Sequence, residues 1–282
     1  MKTHPVFSKF KKWQGIVRAG YVADFTGAII STQFVEGWDL PERNTDRYLE
    51  TDYPPVNEDF FEYISLLKSI DEAEKTFTMI ELGAGYGRWI ISAAKASEQK
   101  DNLQYFLIGI EAEPEHFRMM QEHFRNNGIN PDYHMLVNAA ITDREGEVDF
   151  ANGYSHEWWG QSIVKNKEKK IKGYDNAEIK AVKAITLKSL LREIPFVDFI
   201  DMDIQGEEYK VLSHFQNEIQ TKIKRIHIGT HGNGIEQNLE RMFHDLNWIC
   251  EFNYPCNTEL DTEFGRVSFQ DGVQVWKNKN LA

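Results

Sequence analysis

Apolar residues in this chain come in short runs that alternate between two periods. The runs at 78–82, 105–111, 134–140, 197–203, 225–230, 248–254 and 273–276 are rich in branched and aromatic side chains and end in polar or glycine positions. Such runs predict strands. Between them, 88–95, 115–126, 187–192, 207–215 and 235–246 carry apolar residues at helical spacing, as does 58–70 through Phe60, Phe61, Ile64, Leu66, Leu67 and Ile70. The alternation over 57–282 predicts an α/β fold, a mostly parallel sheet with helices on both faces. Two stretches depart from it. Residues 1–56 precede the alternation, but Trp13, Tyr21, Phe25, Phe34 and Trp38 make them apolar enough to order, so an N-terminal extension is expected. Residues 142–184 form a long polar insertion with strands expected at 147–150 and near 178–185. A long insertion at the carboxyl edge of a sheet reads as a lid or binding loop.

The junction at 77–89 is the most informative. An apolar run reaches Glu81, and Gly83, Ala84, Gly85, Tyr86, Gly87 and Arg88 then lead into an apolar helix. Glycines allow positive φ and let a ligand approach without a Cβ in the way. The helix start offers unpaired N–H groups and partial positive charge. A dinucleotide fingerprint would need glycine where Arg88 stands. The pattern Glu-x-Gly-x-Gly-x-Gly instead resembles the first motif of the Rossmann-like methyltransferases that use S-adenosylmethionine (SAM). The second strand ends at Glu111, ahead of Ala112, Glu113 and Pro114. An acid at that tip is placed to bind both hydroxyls of a ribose; Glu113, past the strand, is the second choice.

Two further blocks extend the resemblance. One is Val197-Asp-Phe-Ile-Asp-Met-Asp203-Ile-Gln-Gly-Glu-Glu208 with Val211 and Leu212; the other is Asp271-Gly-Val-Gln-Val-Trp276. With Gly109–Pro114 they resemble the FkbM family of SAM-dependent methyltransferases over roughly 77–276. The pattern departs at Asp201 and Thr230, where many members carry lysine and glutamate. The resemblance implies a class I methyltransferase fold with seven strands, the last antiparallel, and SAM lying across the carboxyl ends of the first strands. It implies that Glu81 holds the methionine amino group, that Glu111 holds the ribose, and that the segment reaching Ala140 flanks the adenine. Gly83, Ala84, Gly85, Gly87, Ala112 and Asp203 complete the expected cofactor-binding set.

Methyl transfer requires alignment, exclusion of water and removal of a proton. A hydroxyl acceptor is a weak acid and needs a base. Asp203, at a strand tip, and His231, at the mouth of the fifth strand, are the expected acid–base pair, with His227 inside that strand as a third candidate. Asp201 should project on the same face as Asp203. Asp201, Asp203 and His231 are candidates for a divalent ion that lowers the hydroxyl's pKa, although nothing in the spacing demands one. Trp158 and Trp159 are candidates to stack on a sugar or on adenine. Gln161, beside them, is a candidate for SAM's carboxylate or the acceptor. Lys165, Lys167, Lys169, Lys170 and Lys172 suit an anionic substrate such as a sugar nucleotide.

The formal net charge of −12 weighs against phosphate-driven nucleic-acid binding. No stretch is long and apolar enough to span a bilayer, and the lysine-rich first residues lack an apolar signal core; a cytoplasmic location is expected. Cys250 and Cys256 are too few for a disulfide framework. The sequence therefore predicts a SAM-dependent O-methyltransferase of a small hydroxylated molecule, a saccharide first. N-methyl transfer is the alternative. From other classes, a nicotinamide-dependent oxidoreductase or a non-catalytic binding protein would share the sheet. The extension either covers the acceptor site or builds a homo-oligomer interface.

Overall fold

A computed structural model describes residues 3–35, 44–152, 161–164 and 178–281. Its centre is a seven-stranded sheet made of β1 (Thr76–Leu82), β2 (Gln104–Glu111), β3 (Met135–Asn138), β4 (Val197–Met202), β5 (Ile223–Thr230), β6 (Ile249–Tyr254) and β7 (Gly272–Lys277). The spatial order is β6-β7-β5-β4-β1-β2-β3. In this sheet β7 runs antiparallel to both of its neighbours, β5 and β6, and every other pairing is parallel. The order reverses between β1 and β4, so a crevice opens at the carboxyl ends of those two strands. This is the Rossmann-like class I arrangement.

Helices α1 (Glu58–Asp71), α2 (Arg88–Ser97) and α3 (Pro114–Asn126) cover one face. Helices α4 (Leu187–Leu190), α5 (Glu208–His214), α6 (Gln216–Lys222) and α7 (Asn233–Asp245) cover the other. Strand alternation sorts the side chains between them. Phe77, Met79, Phe199 and Val275 pack under α1 and α2, whereas Ile80, Leu82, Ile200, Met202 and Ile226 pack against the second layer. The same count of two puts Glu81, Asp201, Arg225 and His227 on the α1 face. Register then aligns three of them, because Asp201 sits opposite Glu81 on one side and His227 on the other.

Three elements differ from the sequence-based expectation. The third strand stops at Asn138, whose side chain donates to the carbonyls of Glu111 and Ala112 at 2.8 and 3.1 Å. Ala140–Thr142 leaves the main sheet and pairs with Glu178–Thr186, which also pairs with Gly146–Asn152. A hairpin of Thr258–Asp261 with Arg266–Phe269, not expected from the sequence, precedes β7. Helix α6 went unpredicted because Ile219 is its only buried residue.

The N-terminal extension is docked through its own small sheets, Gln14–Val17 with Arg47–Glu50 and Tyr21–Ala23 with Ile29–Ser31. Phe7, Phe10 and Phe25 join the core around α1. Asp24 clamps the extension to two helices, accepting from Tyr63 at 2.9 Å and from Ser92 at 2.6 Å.

Candidate active site at the carboxyl ends of β1 and β4

The tips of β1 and β4 touch. The Asp203 amide donates to the Leu82 carbonyl at 2.9 Å. A Cβ on Gly83 would stand 1.9 Å from the Asp203 carbonyl oxygen, and Gly83 has φ +79°. Only glycine fits there. Gly83 and Ala84 then donate to the Ile110 carbonyl at 3.0 Å each, which bends the chain over the tip of β2.

Glu111 is braced by that bend. One carboxylate oxygen accepts from the Gly85 amide at 2.7 Å and the other from the Glu113 amide at 2.7 Å. Glu113 is occupied differently: it caps α3, accepting from the His116 amide at 2.6 Å. Of the two acids weighed for the ribose, Glu111 is the one facing the cavity. Burial pushes its carboxyl above the ordinary range.

Glu81 points into the start of α2. Its two oxygens accept from the Trp89 and Ile90 amides at 3.3 and 3.0 Å. The side chain is buried, and burial followed by the nearby Asp201 carboxyl drives its pKa well up. A cationic group brought beside it would relieve both effects.

Two cavities meet at this bend. The first, of about 90 Å³, is lined by Gly83, Gly85, Glu111, Ala112, Ala140 and Phe150, among others. The second, of about 250 Å³, is reached by Glu81, Ala84, Arg88, Asp201, His227 and Asp271, among others. Gly83, Gly85 and Asp203 line both. Apolar walls beside the braced Glu111 carboxylate fit a nucleoside, and the buried Glu81 carboxylate across the glycine bend fits an ammonium, so the residues present suit SAM. Gly87, at φ +75°, caps α2 and lies behind the bend against Met120. Gln161 lines the first cavity. Trp158, Trp159 and the lysines at 165–172 lie outside the described residues.

The loop after β4 carries a second constellation. Gln205 has φ +53° and Gly206 has φ +98°. These successive left-handed residues turn the chain so that the Gly206 amide donates to Glu208 at 2.9 Å. His231 donates through Nδ1 to the fully buried Glu208 at 2.9 Å. Its Nε2 lies 3.3 Å from Asp203 and 3.5 Å from Asp271. The Gln205 amide contacts both Asp203 and His231 at 2.7 Å. Burial alone would lower the His231 pKa, but the Glu208 hydrogen bond and the surrounding carboxylates raise it to about 9. His231 is therefore an imidazolium at neutral pH. Asp203 is raised by the cleft walls and then by Asp271, with His231 opposing; half of its side chain still meets solvent, which tempers the rise.

Asp201, Asp203 and His231 do not form one ligand set. Among the described residues, metal-competent donors instead fall into two trios, Glu62–Asp201–His227 and Asp203–Glu208–His231. His227 is buried inside β5, and burial lowers its pKa to about 3, so it is neutral. The acids on α1 were missed from sequence. Glu58, Asp59 and Glu62 all line the second cavity. Their three- and four-residue spacing was visible, but the helix read only as an apolar stripe. His116, beside Glu111 in the first cavity, was missed as well.

A family model described as the methyltransferase FkbM domain matches residues 81–256, more than half of the chain. A Jannaschia sp. (strain CCS1) protein named as a presumed methyltransferase is 28% identical over 200 residues, covering 70% of this chain and 71% of that one. Among solved structures, precorrin-6y C5,15-methyltransferase from Geobacter metallireducens GS-15 aligns at 11% identity and a TM-score of 0.42, over 76% of this chain and 85% of its own. TrmK of M. capricolum, in complex with S-adenosylhomocysteine, aligns at 11% identity and 0.39, over 76% and 67%. Among the described residues, no helix is long and apolar enough to cross a membrane.

Proposed function

Because the chain belongs to the FkbM methyltransferase family, with SAM as its methyl donor, we propose that it methylates a hydroxyl of a small, uncharged or amine-bearing molecule, a saccharide first. The observation that carries this reading is Asp203, which lines both cavities at once. A base at that shared wall can reach a hydroxyl held against the donor. SAM supplies an activated methyl group on a sulfonium centre; the remaining tasks fall to the chain. Glu81 and Glu111 would hold the donor's ammonium and ribose. Asp203 would take the hydroxyl proton, a role typically worth about 10²–10⁴-fold. His231, already protonated, would act as a positioning cation that keeps Asp203 ionised and oriented.

The charge of the second cavity narrows the acceptor. Glu58, Asp59, Glu62, Glu81, Asp201 and Asp271 all reach it, and Arg88 there is already paired with Asp59 at 2.6 Å. With no cation bound there, the described walls leave a phosphate without a free basic partner. They disfavour a nucleotide-linked sugar and favour a neutral or amino sugar. The same acidity supports a second reading, methyl transfer to an amine. Incubation with SAM and a panel of neutral, amino and nucleotide-linked sugars, followed by S-adenosylhomocysteine release, tests both. Turnover of neutral or amino sugars with an O-methyl product is expected. Exclusive N-methylation, or exclusive use of nucleotide sugars, would overturn the proposal.

A further inference from the structure

We propose that Glu62, Asp201 and His227 bind a first-row divalent metal ion at the floor of the second cavity. Each residue offers one ligand atom, and the three atoms all lie within 4.8 Å of one another. They come from three elements that the fold fixes independently. Asp201 and His227 are register partners on β4 and β5, and Glu62 reaches them from α1, its carboxyl in hydrogen-bond contact with that of Asp201. All three line the same cavity.

An unsatisfied nitrogen points to a ligand. His227 is 3% exposed, and its Nδ1 has no hydrogen-bond partner. A buried polar atom left unpaired is costly and calls for an explanation. Coordination through the imidazole would give this buried, unpartnered ring a ligand to hold, and it would replace the carboxyl–carboxyl contact of Glu62 and Asp201 with attraction to a common cation. Arg88, which lines the cavity beside them, does not fill this role. It is bound to Asp59 and lies over the Trp89 ring. The neighbouring trio at His231 differs, since Glu208, Asp203 and Gln205 already engage both of its imidazole nitrogens.

The donor chemistry sets the class of ion. One imidazole and two carboxylates suit Mn²⁺, Fe²⁺ or Zn²⁺ better than Ca²⁺, which takes oxygen ligands. Binding of the ion does not depend on what the enzyme methylates. Its role does rest on the O-methylation reading above: an ion on this wall would lower the pKa of an acceptor hydroxyl and orient it.

The test uses the full chain, freed of metal with a chelator and titrated with Mn²⁺ while the free-ion electron paramagnetic resonance signal is followed. One Mn²⁺ per chain is expected, displaced by Zn²⁺. His227→Ala and Glu62→Gln should each weaken binding by at least about tenfold, and Asp201→Asn should abolish it. Asp203→Asn should bind as the wild type does. Circular dichroism identifies any variant that fails to fold, and the remaining two then decide. Absence of Mn²⁺ and Zn²⁺ binding, unchanged affinity in the three variants, or loss on Asp203→Asn instead would each overturn the site. None of these outcomes depends on methyl transfer, so failure of the metal site and failure of the acceptor reading remain separable.

Discussion

Arg225 and His227 stand two residues apart on β5 and face the same helix, but their surroundings are opposite. Arg225 is fully buried and fully matched: it donates to Ser69 at 2.8 Å, to Glu72 at 2.9 Å and to Glu251 at 2.8 Å. His227 is buried with an orphan nitrogen, in a row that continues through Asp201 to Glu81. At one end of this sheet face, then, charges close on one another and tie β5 and β6 to α1. At the other end they are left for something else to complete. Perturbed, unmatched groups in a cleft mark function, and matched ones mark architecture.

The largest expected effect lies at the matched end. Arg225→Ala removes the buried partner that Glu72 and Glu251 share, leaving Glu72 to Lys224 and Lys277 and Glu251 to Lys68, and should cost about 3–5 kcal/mol in urea unfolding. His227→Ala should cost clearly less. Equal losses at both positions would erase the contrast. Next comes Asp203→Asn, which should lower kcat by about 10²–10⁴ while the unfolding midpoint stays close to wild type. An unchanged kcat would move the base elsewhere.

Smaller effects come from pH. The Arg225 guanidinium opposes burial and holds Glu72 down at about 2 in the folded chain, from an ordinary 4.5. Its stabilisation is therefore complete above pH 4.5 and lost as pH falls toward 2. His231 behaves in the opposite sense. Raised to about 9 from 6.5, it stabilises fully below pH 6.5 and loses that contribution as pH rises through 9. Thermal unfolding across pH should show Glu72→Gln flattening the acid limb and His231→Gln flattening the alkaline limb. Identical limbs in wild type and variants would contradict those couplings.

What was legible in the sequence follows the same division. The glycine bend, the acid at the tip of β2 and the Asp203–Glu208 loop are local: each depends on residues within about ten positions, so spacing reveals it. The central strands β1, β4, β5 and β7 were legible because their runs are largely buried on both faces. The second cavity is not local. It exists because α1 lies across β4 and β5 and turns Glu62 toward Asp201 and His227, more than a hundred residues away. A helical apolar stripe says which face is buried, not which polar residues flank it over a given strand. The two ligand trios were likewise unreadable, since Asp201 and Asp203 share a strand period but part company where the loop turns at Gln205 and Gly206.

The central claim is that Glu81 and Glu111, on either side of the glycine bend, together hold SAM. Calorimetric titration of SAM into the wild type and the Glu81→Gln/Glu111→Gln double variant tests it most directly. Losing charge-assisted hydrogen bonds at both ends of the ligand should weaken binding by at least about a hundredfold. A folded double variant that binds SAM as tightly as the wild type would contradict the account.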